Sequence, residues 1–259
     1  MQHKHSFLLF LFLIFGLLAA ALYWRYITRA EYIYAHKELN LSYEGKKSLS
    51  QEKQAFIEKI VRAAQYANFK VIKEQQQLKR IQRSIQENNK ITLRYKHIFE
   101  DILQKYQIEN KSSHQDSVAT ASLLNELEKR IQIVPVRLAV AQAILESAWG
   151  TSRFARDGNA YFGIHCYQPD CGMPFGKGKV FVKSYGKLQE GVDDYILFLN
   201  TKKGTRKFRE ERMRYLKAEK PNIIKLANSL DTYSEIGGKY QRILSDLFRN
   251  YIPNHIDDY

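Results

Sequence analysis

The sequence predicts a mainly α-helical protein with a small β-hairpin lobe, preceded by a helical hairpin and an N-terminal membrane segment. Three observations support this prediction. Apolar residues recur at helical spacing over most of the chain after residue 49. Glycine and proline cluster between residues 158 and 186, where "KVFVKSY" alternates apolar and polar residues as a strand does. An uncharged apolar run lies near the amino terminus.

The apolar run "FLLFLFLIFGLLAAALYW" spans Phe7 to Trp24 and has 18 uncharged residues, with Lys4 before it and Arg25 after it. A helix needs about 17–25 such residues to cross a bilayer. We therefore predict a signal-anchor within residues 1–30, with a cleaved signal peptide as the alternative. Residues 31–49 are polar and are interpreted as a juxtamembrane linker. Either alternative exports the rest of the chain, so the expected location is periplasmic, anchored to the inner membrane or secreted after cleavage.

The charge of the chain indicates an anionic partner. The sequence has 259 residues with 41 Lys and Arg against 27 Asp and Glu, a net charge of +14. Lipid headgroups, nucleic acid and an acidic polymer all fit this charge. Export makes a nucleic-acid partner unexpected. With 44% hydrophobic residues, the chain can bury the core of one or two domains.

Residues 50–117 are predicted as an N-terminal helical region. A long helical pattern starts after Ser50, a possible N-cap, and breaks at "NNK", residues 88–90. A second helix is predicted from Thr92 to Tyr106. The apolar stripe lacks three clean heptads, so a helical hairpin packed within the chain is favoured over a dimeric coiled coil.

Residues 118–255 are predicted to form the catalytic domain around one buried helix. Pro135 suits a first helical turn, and Gly150 suits a C-terminal cap. The helix is therefore predicted from Pro135 to Trp149. Its sequence is apolar nearly all round, which is typical of a helix inside a domain.

Glu146 is the one carboxylate in "AQAILESAWGTSRFA" and lies on the last turn of this helix. The negative end of the helix dipole and the apolar neighbours both raise the pKa of a carboxyl there. A glutamate that keeps its proton near neutral pH can act as a general acid. The alternative is a surface glutamate that pairs with Arg153 or Arg156.

Helical spacing returns after the β lobe, in Val192 to Leu199, in Ile223 to Leu230 and in "YQRILSDLFRNYI". The basic stretch from Lys202 to Lys225 is interpreted as a solvated surface. Trp149 is expected to pack the end of the central helix, and Tyr240 is expected to be structural.

Cys166 and Cys171 are the only cysteines in the chain. They can form a tight disulfide in an oxidising compartment, or remain free thiols. A structural zinc site, with His165 as a further ligand, needs four ligands, and the sequence has no second cluster of histidine and cysteine. A disulfide is the favoured interpretation, and we expect no metal or cofactor.

The stretch "VAQAILESAWGTSRFARDGNAYFGIHCY" resembles the catalytic motif of the glucosaminidases of glycoside hydrolase family 73, and most closely the Bax-type proteins. "FIEKIVRAAQYAN", "CYQPDCG" and "LANSLDTYSEIGGKY" extend the resemblance over roughly Ser50 to Tyr251. The resemblance implies a lysozyme-like fold that cleaves the β-1,4 bond after N-acetylglucosamine in peptidoglycan. It matches Glu146 to the catalytic acid of the family.

The resemblance also implies other site residues. Tyr233 stands at the position of a functional tyrosine, and Asn159, Tyr161 and Phe162 match a stretch near the glycan-binding cleft. Two-carboxylate glycosidases need a second acid. The predicted lobe, residues 166–184, contains only Asp170 as an acid. An attack by the substrate's own N-acetyl carbonyl, with Tyr233 stabilising the intermediate, is a second possible route, and Glu235 is a further candidate base.

The sequence predicts a peptidoglycan hydrolase whose partners are the glycan strands and the inner membrane. Two alternatives remain. A lytic transglycosylase shares the catalytic glutamate but forms an anhydro-sugar, and the "GLMQ"-type motif of many such enzymes is absent. A non-catalytic peptidoglycan-binding or scaffold protein would explain the missing second carboxylate.

Overall fold

The computed structural model describes residues 17–18, 21–22, 25–26, 28–39, 41–110, 117–176, 179–230 and 238–257. The chain forms two compact units, residues 1–39 and residues 40–259. In the first unit, helix α1 includes residues 28–36. Most of the predicted membrane segment lies outside the described residues. Within the described ranges, no helix has the length and apolar character needed to cross a membrane.

The second unit is mainly helical, as predicted. Its elements in chain order are α2 (Gln51–Asn88), α3 (Leu93–Lys105), α4 (Ser117–Arg130), α5 (Val136–Ser147), α6 (Arg153–Gly158), β1 (His165–Cys166), β2 (Gly172–Pro174), β3 (Phe181–Lys183), α7 (Leu188–Thr201), α8 (Arg206–Tyr215), α9 (Ile223–Asn228) and α10 (Gly238–Asn250). Short 3-10 helices cover Lys203–Thr205 and Asn254–Asp257.

Helix α5 is the centre of the core. Residues 138–144 of this helix are all 3% exposed or less. α2 and α10 pack against it, and α2 also packs against α7. The apolar pattern that predicted a buried helix is therefore confirmed.

The long helix α2 belongs to the same compact unit as α5. Asn68 of α2 is fully buried, and its amide donates to the carbonyl of Val134 at 2.7 Å. The Val134 N–H donates back to Asn68 Oδ1 at 3.0 Å. α2 therefore fixes the start of the central helix, and the domain division at residue 118 stays a prediction.

The β lobe is a three-stranded antiparallel sheet rather than a two-stranded hairpin. Its strand order is β1–β3–β2, so β3 pairs with both neighbours. Val182 of β3 lies opposite His165 on one side and Met173 on the other. "KVFVKSY" therefore contains the central strand, and the extra strand comes from the chain that follows Cys171.

The largest difference from the sequence prediction lies in the basic stretch from Lys202 to Lys225. It contains α8, a helix with two nearly buried arginines, Arg209 at 4% and Arg212 at 0% exposure. The stretch was predicted to be solvated throughout, and for these two residues this is wrong. The Arg212 guanidinium donates to Asn200 of α7 and Lys129 of α4, whereas Arg209 donates to the Lys202 carbonyl and the Thr205 hydroxyl just before its own helix.

Candidate active site

The site is built at the carboxyl end of α5. The helix ends at Ser147, two residues before the predicted end, because Ala148 and Trp149 both adopt left-handed backbone conformations with φ of 50° and 60°. Left-handed non-glycine residues are rare, and each costs on the order of 1–3 kcal/mol. Two in succession directly after Ser147 indicate that the surrounding structure imposes this turn.

Ser147 holds the strained turn in place. Its hydroxyl donates to the Ala143 carbonyl and accepts from the Gly150 N–H, at 2.8 Å in the second case. The Ser147 carbonyl also accepts from the Ser152 N–H at 3.0 Å. These bonds satisfy polar groups that the end of a helix leaves without partners.

Gly150 makes the turn possible. Its φ of +78° is left-handed, and a β-carbon there would lie 2.8 Å from the Phe56 ring. Both facts require glycine. The sequence predicted Gly150 as the C-cap of the helix, and this is wrong, because the C-cap is Ala148. Glycine is needed at residue 150 because the turn passes close to the Phe56 ring of α2.

Glu146 is half-buried on the last turn of α5. Burial raises the pKa of its carboxyl from 4.5 to about 7. The direction agrees with the sequence prediction, and burial is the cause. Among the described residues, no cation pairs with this carboxylate, so the predicted alternative of an ion pair with Arg153 or Arg156 does not hold.

Gly163 lies beside Glu146. Gly163 has a φ of +62°, and a β-carbon on it would lie 3.8 Å from Glu146 Oε2. The chain can therefore pass close to the carboxyl at this point. A side chain at residue 163 would be strained and would stand against the carboxyl.

A buried polar network lies one helical turn before Glu146. The Tyr195 hydroxyl of α7 donates to Gln142 Oε1, and Gln142 Nε2 donates to the Tyr240 hydroxyl of α10 at 2.6 Å. Gln142 is 0% exposed. Burial raises the pKa of both tyrosines, and the Glu146 charge raises both further, for Tyr195 after the effect of Tyr240. The sequence identified Tyr240 as structural but did not indicate Gln142 or Tyr195.

The residues predicted to bind substrate lie in different surroundings. Phe162 is 3% exposed and stacks on Tyr195 with ring centres 3.9 Å apart. Tyr161 is 7% exposed, and its hydroxyl accepts from Lys59 at 3.3 Å. Asn159 ends α6 in a left-handed conformation and donates to the Tyr185 carbonyl at 3.0 Å. Their binding role stays a prediction, and Phe162 also belongs to the core behind Glu146.

Tyr233, the second predicted catalytic residue, lies outside the described residues. Trp149 packs edge-on against Phe56 and Tyr251 at the end of α5, as expected. His165 is exposed on β1 and lines a groove of about 500 Å³ between the sheet and α7.

Cys166 and Cys171 form a disulfide in the structure. It closes the turn between β1 and β2. Asp170 is exposed in this turn and has a φ of 61°. Across the described ranges, no cluster of three histidine, cysteine or carboxylate side chains could hold a metal ion.

Residues 121–251 match the glucosaminidase family, described as mannosyl-glycoprotein endo-beta-N-acetylglucosaminidase. The chain belongs to this family. The resemblance that the sequence motifs indicated is confirmed, and the glucosaminidase domain makes the protein an enzyme of the glycoside hydrolase type.

The glucosaminidase domain is also similar to Protein bax of Escherichia coli (strain K12), with 31% identity over 127 residues. The match covers 49% of this chain and 46% of the bax protein, so it spans about half the length of that relative. No solved structure matches the chain. The lysozyme-like fold therefore stays a prediction, and helix α2 lies before the residues that define the glucosaminidase family.

Proposed function

We propose that the protein is a peptidoglycan hydrolase, an endo-β-N-acetylglucosaminidase that cleaves the β-1,4 bond after N-acetylglucosamine with Glu146 as its general acid. The observation that carries the proposal is the half-buried Glu146 carboxyl, whose pKa burial raises to about 7. A glycosidic oxygen is a poor leaving group unless it is protonated as its bond to carbon breaks. A carboxyl that still holds its proton near pH 7 meets this requirement.

The reaction begins when Glu146 gives its proton to the glycosidic oxygen and the C1–O bond breaks. The carbonyl oxygen of the substrate's own N-acetyl group attacks C1 from the opposite face and forms an oxazolinium ion. Water then adds to C1, and the Glu146 carboxylate takes a proton from it. The carboxyl returns to its starting state, and the anomeric configuration is retained.

This substrate-assisted route follows from the absence of a suitable second acid in the described part of the lobe. Asp170, the only acid between residues 166 and 184, is exposed in the disulfide turn. The neighbouring Asp194 of α7 already accepts from Lys183 and from the Tyr185 hydroxyl, each at 2.7 Å. On the basis of the family resemblance, we propose Tyr233 as the group that stabilises the intermediate.

Peptidoglycan is favoured over other glycans that contain N-acetylglucosamine because of charge. The chain has a net charge of +14, and peptidoglycan carries carboxylates whereas a mannosyl glycan is neutral. We further propose a periplasmic location. The apolar run at residues 7–24 and the disulfide between Cys166 and Cys171 both support export.

The test is digestion of purified sacculi followed by mass spectrometry of the released muropeptides. We expect fragments that end in reducing N-acetylglucosamine, at a rate that falls as the pH rises above about 7 and Glu146 loses its proton. Glu146→Gln should reduce this rate by about 10²- to 10⁴-fold. Glu219→Gln, at an exposed position, is the matched control and should keep the wild-type rate.

Other products would lead to other conclusions. Anhydro-sugar ends would identify a lytic transglycosylase instead. Binding to sacculi without any soluble product would favour the non-catalytic alternative. A Glu146→Gln variant with undiminished turnover would remove Glu146 from the mechanism.

A further inference from the structure

Two lysines of α2 stand over aromatic rings that belong to the region around the site. Lys53 Nζ lies 4.9 Å from the centre of the Trp149 ring. Lys59 Nζ lies 4.8 Å from the centre of the Tyr161 ring and donates to the Tyr161 hydroxyl at 3.3 Å. Both lysines are exposed. These four residues form a surface that we call the lysine–aromatic shelf.

The shelf adjoins the candidate catalytic residue. Trp149 follows Glu146 by three residues, and Tyr161 precedes Gly163, which lies beside the Glu146 carboxyl. The Phe56 ring of α2 lies between the two halves of the shelf, with its centre 6.1 Å from the centres of both the Trp149 and the Tyr161 rings. The Gly150 turn that follows Glu146 also packs against the Phe56 and Tyr161 rings, so a polymer that extends beyond Glu146 along this turn can contact the shelf.

The electrostatics of the shelf fit an anion. Within the described residues, no carboxylate forms an ion pair with Lys53 or Lys59. Each ammonium group is held over a ring face by a cation–π contact, which limits its freedom while leaving it open to solvent. The two lysines are six positions apart in the sequence, about 9 Å along a helix. A flexible ligand with several carboxylates can contact both.

We propose that the lysine–aromatic shelf binds the carboxylates of the peptide stems of peptidoglycan. This inference rests on the proposed function, since it takes peptidoglycan as the polymer at Glu146. N-acetylglucosamine itself is uncharged, and the lactyl carboxyl of the neighbouring sugar is bound in an amide to the stem. The free carboxylates of the intact polymer are therefore on the peptides.

The shelf gives α2 a role in substrate choice. Lys53 and Lys59 precede the region, residues 121–251, that matches the glucosaminidase family. The aromatic rings of the shelf come from within that region, whereas both positive charges come from the preceding helix. The segment before the family domain thereby selects glycans that carry acidic peptides.

The experiment measures binding of the full chain to purified sacculi, with Glu146→Gln in every protein to prevent cleavage. The test variant carries Lys53→Gln and Lys59→Gln. The matched control carries Lys79→Gln and Arg80→Gln, which removes two exposed positive charges from the same helix, roughly 30–40 Å away. A third variant, Lys53→Arg with Lys59→Arg, keeps the charges. Thermal unfolding midpoints verify that all the proteins are folded.

We expect the test variant to raise the Kd for intact sacculi about five- to tenfold. The control should change it less than twofold, and the arginine variant should bind as the parent does. The difference between test and control should disappear on sacculi whose carboxyls have been amidated. It should also disappear on glycan strands from which an amidase has removed the peptides and whose freed lactyl carboxyls have then been amidated.

Equal losses in the test and control variants would overturn the proposal, because net charge alone would then explain binding. A loss that persists on peptide-free strands would reject the peptide stems as the ligand. These results do not depend on turnover. If wild-type protein releases no fragments from sacculi, the proposed hydrolase activity fails while the binding comparison still decides the role of the shelf.

Discussion

Glu146 and Arg212 are both ionisable residues in low-dielectric surroundings, and they differ in their hydrogen bonding. Arg212 of α8 is 0% exposed, and burial lowers the pKa of its guanidinium from 12.5 to about 9. It donates to Asn200 Oδ1 at 2.6 Å and to the Lys129 carbonyl at 3.1 Å. Its group lies over the Phe208 ring, 5.2 Å from the ring centre. Arg212 therefore stays protonated at neutral pH.

Glu146 meets the same cost of burial without such partners. In the described part of the chain, its carboxyl has no hydrogen-bond donor and no cation. Burial instead raises its pKa to about 7, so that the neutral form is populated near neutral pH. Hydrogen bonds thus fix the charge of a structural residue, whereas a partly open site without them leaves the charge state free to change. Proton transfer needs a group whose charge state can change.

The largest expected effect concerns Arg212 and the stability of the fold. Arg212→Met keeps most of the side-chain volume but leaves the Asn200 and Lys129 oxygens without their donor. We expect a loss of about 2–4 kcal/mol in the free energy of unfolding, since each unsatisfied buried group costs about 1–3 kcal/mol. Urea denaturation measures this loss. The rate per folded molecule should stay near that of the wild type.

Arg214 supplies the control on the same helix. Its side chain is 68% exposed and pairs with Glu211. Arg214→Met should change the free energy of unfolding by less than about 0.5 kcal/mol, because exposed ion pairs contribute little. If Arg212→Met lowered the free energy of unfolding no more than Arg214→Met does, the hydrogen bonds of Arg212 would not stabilise the fold. Its contrast with Glu146 would then not hold.

The sequence predicted those parts of the site that depend on local pattern. The buried helix α5 follows from its apolar residues, and Glu146 was the one acid that this pattern did not explain. The central strand β3 lies within the alternating "KVFVKSY" stretch. These features need only the spacing of apolar, charged and turn residues.

Features that depend on distant contacts could not be predicted. The end of α5 at Ser147 depends on the Phe56 ring of α2, which packs on Gly150. α8 has a strongly charged sequence, and the burial of Arg212 depends on acceptors from α7 and α4. Gln142 looks like an ordinary polar residue in an apolar helix. Only the fold shows that it connects Tyr195 to Tyr240.

The pH dependence of stability reports the charge state of Glu146. The folded-state pKa of Glu146 lies near 7, whereas its ordinary value is 4.5. Between these values the folded protein holds a proton that the unfolded chain has released, so wild-type stability should fall as the pH rises from about 4.5 to 7. Glu146→Gln lacks this loss. The free energy of unfolding of this variant should equal that of wild type at pH 4 and exceed it by about 1–3 kcal/mol at pH 8. This range allows for the partial exposure of the Glu146 carboxyl.

Urea denaturation at the two pH values measures the difference. Glu219→Gln, at an exposed position, should stay within about 0.5 kcal/mol of wild type at both. A Glu146→Gln variant whose advantage is the same at pH 4 and pH 8 would show that Glu146 does not carry a raised pKa. The general-acid proposal would then lose its physical basis.

The smallest expected effect tests whether the buried network serves Glu146 or only the core. Tyr195→Phe removes the donor to Gln142 Oε1, one turn before Glu146, while the ring can still stack on Phe162. Because Gln142 can then shift toward the carboxyl, we expect kcat to fall about three- to tenfold, equivalent to about 1 kcal/mol. KM should be unchanged, because no substrate contact is lost.

Tyr185→Phe provides the comparison, since the Tyr185 hydroxyl donates to Asp194 at 2.7 Å in a network that does not include Gln142. Each substitution removes one hydroxyl and one hydrogen bond, so both should lower the free energy of unfolding by about 1 kcal/mol. Only Tyr195→Phe should change kcat and its dependence on pH. If the two variants lost stability equally and kept the same kcat, the network of Gln142, Tyr195 and Tyr240 would be part of the core alone. Burial would then be sufficient to raise the pKa of Glu146.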